Sequence, residues 1–390
     1  MTRGLFHGTT TPGSVRALSF GGGRMHVTRL ELRHVRRLQP TELHPAPGLN
    51  LITGPNGAGK TSLLEALHLL AYGRSFRGRV RDGLICTGAQ ALEVFAEWTE
   101  NVNGRTRKAG LRHTGQQWEG RLDGQPVSQL GELCAALAAV TFEPGSHALV
   151  CGGGETRRRF VDWGLFHVEP EFFSLWRRYA RALKQRNALL KSRNREVAQL
   201  DTWDFELADA GEPLGHYRQR YLEVLQTGLR AIAADFLPSL GAATLAYQPG
   251  WRREELSLSD ALLLARDRDL ATGFTSVGPH RGDWRVDYVE RPGREVLSRG
   301  QAKLTALGCL LAQADDFASQ RGEWPIILLD DLDSELDPAH QQRVLQHLLS
   351  SQAQIFLTGT EAPAKLEQLA ATVARFHVEQ GTVRPAQQGV

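Results

Sequence analysis

The stretch LITGPNGAGKTSLLEALHLLAYG, residues 51 to 73, leaves the fewest folding choices open. Gly54, Gly59, Lys60 and Thr61 fit G-x-x-x-x-G-K-[ST], a spacing in which glycines let the backbone wrap a phosphate chain. Leu49, Leu51 and Ile52 predict a short buried strand before the loop. Leu63, Leu64, Leu67 and Leu70 recur at helical spacing after it, and Gly73 suits a C-terminal cap. Strand, glycine loop and helix N-terminus together form an anion site, because the first turn of a helix offers unpaired N–H groups and a positive dipole. Gly54, Pro55, Asn56, Gly57, Ala58, Gly59, Lys60, Thr61 and Ser62 are therefore the expected nucleotide cradle. Lys60 is expected at the β- and γ-phosphates, and Thr61, with Ser62 beside it, at a Mg2+ ion.

A cradle needs acidic partners, and they lie far downstream. Residues 326–337 read IILLDDLDSELD. Ile326 to Leu329 predict a buried strand ending in two carboxylates. Asp330 suits the Mg2+ shell, through water, and Asp331 stands where a group that orients the attacking water belongs. Asp331 is one methylene shorter than the glutamate usual in related ATPases, which predicts slow hydrolysis. The plainer alternative is a structural strand ending in solvated acids. The last strand is expected at 354–358. Thr360 just beyond it is the candidate switch residue, and Gln90 the candidate Mg2+-sensing glutamine.

Residues 297–301 read LSRGQ, ahead of a helical pattern carrying Leu304, Leu307, Leu310 and Leu311 on one side. The pentapeptide resembles the LSGGQ signature of the ATP-binding-cassette superfamily. The resemblance implies that Ser298, Arg299, Gly300 and Gln301 grip the γ-phosphate of a nucleotide bound to a second subunit. Two protomers would then pair head to tail around two ATP molecules. Arg299 departs from the usual glycine and could add a phosphate or DNA contact.

Lys60 and Ser298 are 238 residues apart, more than a transporter cassette needs, so something is inserted. Phe173, Trp176, Ala180, Leu183, Asn187 and Leu190 alternate in steps of three and four, as do Leu214, Tyr217, Tyr221, Leu225, Leu229, Ile232 and Phe236. The two patterns predict a short antiparallel coiled-coil hairpin joined by 192–206. An ordinary helical subdomain core would show the same packing. The polar side of the first helix carries Arg177, Arg178, Arg181, Lys184, Arg186, Lys191, Arg193 and Arg195, with no acid between Phe172 and Arg195. Solvated helix faces usually mix signs. A DNA phosphate backbone is one counterion for such a run. Arg74, Arg77, Arg79 and Arg81 form a second basic group, for DNA, the nucleotide or the dimer seam. Composition adds a little. The net charge is only +3, but six lysines leave forty of the 46 basic residues as arginine, whose planar fork suits phosphate and base edges. A GC-rich genome would give the same bias. Cys86, Cys134, Cys151 and Cys309 form no CxxC pair, so neither zinc nor a disulfide framework is expected, and a reducing cytosol fits. No apolar run approaches the roughly 20 residues that span a bilayer.

The chain also resembles the RecF family of bacterial DNA replication and repair ATPases. Glu143, Pro144, Gly152, Arg158, Arg159, Phe160 and Asp162 carry the match within FEPGSHALVCGGGETRRRFVD, with GRSFR (73–77), GPHRGD (278–283) and LLDDLDSELD beside them. Gly282 departs from the pattern, where an acid is usual. The likeness runs from residue 25 to about 385. It implies an α/β fold: an ABC-type P-loop ATPase head with an inserted, mostly helical lobe. The head is expected at 25–140 and 285–390, the lobe at 141–284, and residues 1–24 as a disordered extension or mis-assigned start. The resemblance also implies ATP and Mg2+ as cofactors, a homodimer in the ATP state, and a weak, DNA-stimulated ATPase. Duplex, gapped or junction DNA would be bound, RecO and RecR would be partners, and RecA loading the outcome, in the cytoplasm near the nucleoid. Two rival readings are a non-hydrolysing ATP-dependent interaction module and a transporter's nucleotide-binding subunit, which would want a membrane partner and a switch histidine.

Overall fold

The computed structural model describes residues 23–80, 83–100, 104–192, 197–291, 297–363, 366 and 373–386. Arg81, Arg193, Arg195 and the segment 1–22 lie outside them.

The apolar run before the glycine loop, Leu49–Thr53, is the third strand of a six-stranded sheet. The order runs Thr382–Pro385, Val373–Glu379, Leu49–Thr53, Ile355–Gly359, Ile326–Leu329, Ala139–Phe142, and only the first pair is antiparallel. Buried on both faces, these central strands are continuous hydrophobic runs, as parallel strands require. The strand at 355–359 is therefore not the last. The expectation missed the hairpin of Val373–Glu379 and Thr382–Pro385, which closes on Gln380 and Gly381, both at positive φ. That turn braces the phosphate loop: Gly381 N–H donates to the Ala58 carbonyl at 3.1 Å, and a Cβ on Gly381 would lie 2.1 Å from the Arg37 carbonyl oxygen.

A second six-stranded sheet is antiparallel: Thr41–Leu43, His26–Arg33, Leu92–Glu100, Arg105–His113, Trp118–Leu122 and Gln125–Val127. Its buried positions alternate, and Val27, Leu30, Leu32, Val94, Ala96 and Trp98 cover the P-loop helix Lys60–Tyr72.

The arm is an antiparallel pair of helices, Phe172–Lys191 and Val197–Phe236. The second is longer than expected: it starts at Val197, inside the expected linker 192–206, and runs through Pro213. At 1.5 Å per residue it spans about 60 Å. The seam of the first helix is also rotated: Phe172, Tyr179, Ala182, Arg186 and Leu190 are buried, while Trp176 is exposed. Arg186 occupies a seam position and pairs with Asp204 on the facing helix, so the apolar period is interrupted by two charges at the point where they meet.

The expected lobe edges also move. A boundary after residue 140 would cut Ala139–Phe142, which pairs with Ile326–Leu329, and one after 284 would cut Asp283–Tyr288, which pairs with Ala243–Gln248 over its whole length. The helix that begins within LSRGQ, Arg299–Arg321, packs along Val197–Phe236, and Gly308 lets Leu229 approach. Arm, signature helix and central sheet share one hydrophobic core.

Candidate nucleotide site

Gly54 leaves the strand at φ 148, and a Cβ there would sit 2.1 Å from the carbonyl oxygen of Val378. Only glycine lets the loop turn so close to the neighbouring strand. The loop opens onto a cleft of about 920 Å³ lined by Asn56, Gly57, Gly59, Lys60, Thr61 and Ser62 from the cradle and by Asp331, Asp333, Ser334 and Thr360 opposite. Lys60 Nζ donates to the carbonyls of Gly54 (2.8 Å) and Pro55 (3.2 Å), so its charge lies inside the loop's curl.

Asp330 ends its strand next to Thr61, whose Oγ1 donates to Asp330 Oδ1 at 2.9 Å. Thr358, from the adjacent parallel strand, donates to the same oxygen at 2.8 Å and accepts from the Asp331 N–H at 2.9 Å. One hydroxyl thus fixes both carboxylate-bearing residues. Burial raises the Asp330 carboxyl above its ordinary range; bonds from Thr358 and Thr61 and the charge of Arg77 oppose that, while Asp331 adds to it. Burial also raises Asp331, and Lys60 and Arg77 pull it back. Asp331 itself holds φ 48, a left-handed conformation costly for a residue with a side chain, of the kind kept where a function needs it.

The adjacent oxygens of Thr61 and Asp330 fit a small hard cation that takes its remaining ligands from phosphate and water. No cluster of three or more His, Cys, Asp or Glu able to hold a metal occurs among the described residues.

The structure adds cleft residues that the sequence reading passed over. Arg36 and Arg37, just beyond the strand His26–Arg33, line it, and Arg36 takes φ 52. Arg77, read from sequence as a DNA or nucleotide contact, faces the cleft, whereas Arg74 lines a separate crevice with Tyr72 and Arg159. Thr360 is in the lining and donates through N–H and Oγ1 to Asp333. Gln90, a candidate only as a glutamine between the P-loop and the LSRGQ stretch, is exposed and outside the lining.

Ser298, Arg299, Gly300 and Gln301 do not reach the cleft of their own chain. They form the N-terminus of Arg299–Arg321, where Ser298 Oγ accepts from Gln301 N–H and the Gln301 side chain accepts from Ser298 N–H. The reciprocal cap holds an exposed N-terminal turn toward solvent.

The basic face of the arm divides into two sets. Arg186 is fully buried, with Nε on Asp204 (2.5 Å) and Nη1 on Asp269 (2.7 Å), so it is not a DNA contact. Arg178 is exposed but paired with Glu206 (2.8 Å) and Asp209 (2.6 Å). The acids missing from the first helix are supplied by its partner. Arg177, stacked over Phe173, together with Arg181 and Lys184, remains exposed without a close ion pair among the described residues.

These features define a class: a P-loop ATPase head whose exposed LSRGQ turn lies outside the lining of its own cleft. The model of the RecF/RecN/SMC N terminal domain family matches residues 26–384. A DNA replication and repair protein RecF from Stenotrophomonas maltophilia (strain R551-3) is 66% identical over 362 residues, covering 92% of this chain and 99% of that protein. A solved structure of the recombination mediator protein RecF with ATP, in the RecFOR pathway, superposes with TM-score 0.85 at 25% identity over 95% of this chain and all of that one. An Smc head domain from Pyrococcus furiosus, bound to the C-terminal domain of ScpA, shares the fold, with TM-score 0.57 at 17% identity over 93% of this chain and 96% of that one. The chain belongs to the RecF family, within the SMC-like P-loop ATPases. Among the described residues no helix is long and apolar enough to cross a membrane.

Proposed function

We propose that the protein is an ATP-timed DNA clamp of replication-gap repair: two copies close head to tail on two ATP molecules, bind DNA while closed and reopen on slow hydrolysis. The observation that carries this reading is the separation of the half-sites. Cradle, Asp330 and Asp331 share one cleft, while Ser298 and Gly300 stand exposed at a helix N-terminus elsewhere on the same chain. A second copy supplies the missing half. That turn offers free N–H groups to the γ-phosphate, and Arg299 adds a charge beside it.

Within the cleft, Lys60 meets the β- and γ-phosphates, and Thr61 and Asp330 would hold Mg2+, which would supply positive charge to the phosphates. Asp331, anchored by Thr358, orients the attacking water. Its short side chain limits the rate, so ATP acts as a timer for residence on DNA. Closing the pair brings two arms side by side, where Arg177, Arg181 and Lys184 meet the phosphate backbone and give affinity without sequence preference. The family resemblance and the relative's RecFOR setting support partnership with RecO and RecR and, through them, RecA loading at gaps.

Fluorescence anisotropy of a labelled gapped duplex, titrated with protein in Mg-ATP and then in Mg-ADP, tests the clamp. Tight binding only with ATP, steeper than one-to-one, is expected. Equal binding in both nucleotides would detach DNA affinity from closure and sink the reading.

A further inference from the structure

We propose that Glu65 is a positioning residue that ties together the two arginine-bearing rims of the nucleotide cleft and thereby sets the preference for ATP over ADP. The proposal rests on the reading of that cleft as an ATP site.

Glu65 lies on the P-loop helix, one turn beyond Lys60, and its side chain is 0% exposed. A carboxylate so placed needs donors on every side. Arg36 supplies two, through Nε to Oε2 at 2.6 Å and Nη2 to Oε1 at 2.7 Å, and Ser75 Oγ supplies a third to Oε1. Each donor belongs to a different rim. Arg36, just beyond the strand His26–Arg33 of the antiparallel sheet, takes a left-handed conformation, and its Nη1 donates to the Gly83 carbonyl at 3.2 Å, with Gly83 itself in the lining. Ser75 lies in the loop after the P-loop helix, where its Oγ also accepts from Arg77 N–H at 2.9 Å. The chain of contacts Arg36–Glu65–Ser75–Arg77 runs from one rim to the other through the helix that carries Lys60.

The far end of that chain explains the nucleotide preference. Arg77 lines the cleft together with Asp331, the residue assigned above to the attacking water, and on that reading this is where a third phosphate lies when Lys60 and Thr61 hold the second. ADP does not extend there. A substitution that loosens Arg77 therefore weakens ATP and spares ADP. Glu65→Gln keeps the volume but has one acceptor oxygen and an amide that donates. It cannot serve the Arg36 fork and Ser75 together, and it leaves the Arg36 charge uncompensated.

Titrations of full-length protein with a fluorescent non-hydrolysable ATP analogue and with fluorescent ADP, both with Mg2+, test this. The variants are Glu65→Gln, Ser75→Ala and the double substitution. Glu65→Gln is expected to weaken the ATP analogue about tenfold, the loss of one charge-assisted bond, and ADP less than about twofold. Ser75→Ala, which leaves the Arg36 fork intact, is expected to shift the ratio the same way by less, and the double variant to be no worse than Glu65→Gln, because both act through one link. Equal weakening of both nucleotides, or an unchanged ratio, would mean that Glu65 only supports the fold and would overturn the proposal. If Glu65→Gln does not fold, the ratio in Ser75→Ala decides. Wild-type protein that binds neither nucleotide would overturn the ATP reading itself and the proposal with it.

Discussion

Thr358 shows how much one hydroxyl can hold. Its oxygen stands between the Asp330 carboxylate and the Asp331 amide, and its side chain is almost fully buried. Thr358→Val keeps the shape and removes both bonds. It should slow ATP turnover about 10- to 100-fold, the usual effect of losing a group that supports a metal ligand, while nucleotide affinity changes little. Phosphate release against nucleotide binding checks this, and a fall in binding equal to the fall in turnover would contradict it. Asp331→Asn should bind ATP and DNA yet abolish turnover; unchanged phosphate release would remove Asp331 from the chemistry. The sequence announces Lys60, Thr61 and Asp330 because their roles follow from local spacing and from the ends of buried strands. Arg36 and Thr358 carry no such sign. Arg36 joins the cleft, and Thr358 reaches Asp330, only when the sheets place their strands beside the P-loop.

The arm makes the same distinction for charge. Eight basic residues and no acid along one helix suggested a uniform phosphate-binding face, but the partner helix brings Asp204, Glu206 and Asp209 against it. Charge pattern along one segment is legible; which charges meet across a seam is not. Changing Arg177, Arg181 and Lys184 to Ala should weaken DNA binding alike for all sequences. It should also lower the salt slope, log Kd against log salt, by about two to three, since each lost phosphate contact releases about 0.9 fewer counterions. An unaltered slope would remove these residues from the interface. Arg186→Ala should behave in the opposite way. It leaves Asp269 buried without its arginine and Asp204 with Arg266 alone, a loss of about 3 kcal/mol by analogy with other broken buried pairs, seen as a lower Tm with the salt slope intact.

At the scale of the whole molecule, buried histidines make folding sensitive to mild acid. Burial lowers His68 to about 3, His167 to about 3 and His280 to about 4. The unfolded chain protonates these groups near 6.5 and the folded chain does not, so their contribution is complete above that pH and is lost as the pH falls toward their folded values. Each should steepen the decline by up to about 1.4 kcal/mol per pH unit. Glu143, Asp316, Asp330 and Asp331 are raised and pull the other way. The histidine effect begins as the pH falls below the unfolded value of about 6.5, and denaturant midpoints should fall from there; a flat profile in which His68→Phe changes nothing would contradict the burial of neutral imidazoles. What the sequence left unreadable at this scale is the shared core. Signature helix, arm and central sheet pack as one body, so opening or closing the arm must also move the Ser298 turn.

Light scattering on purified protein, with Mg-ATP, with Mg-ADP and with a Ser298→Arg substitution, tests the central claim that the nucleotide is completed by a second copy. The account predicts twice the mass of one chain with Mg-ATP, a single chain with Mg-ADP, and a single chain for Ser298→Arg in either nucleotide. A dimer that forms regardless of nucleotide, or one that survives Ser298→Arg, would show that the exposed signature turn does not build the ATP site and would contradict the clamp.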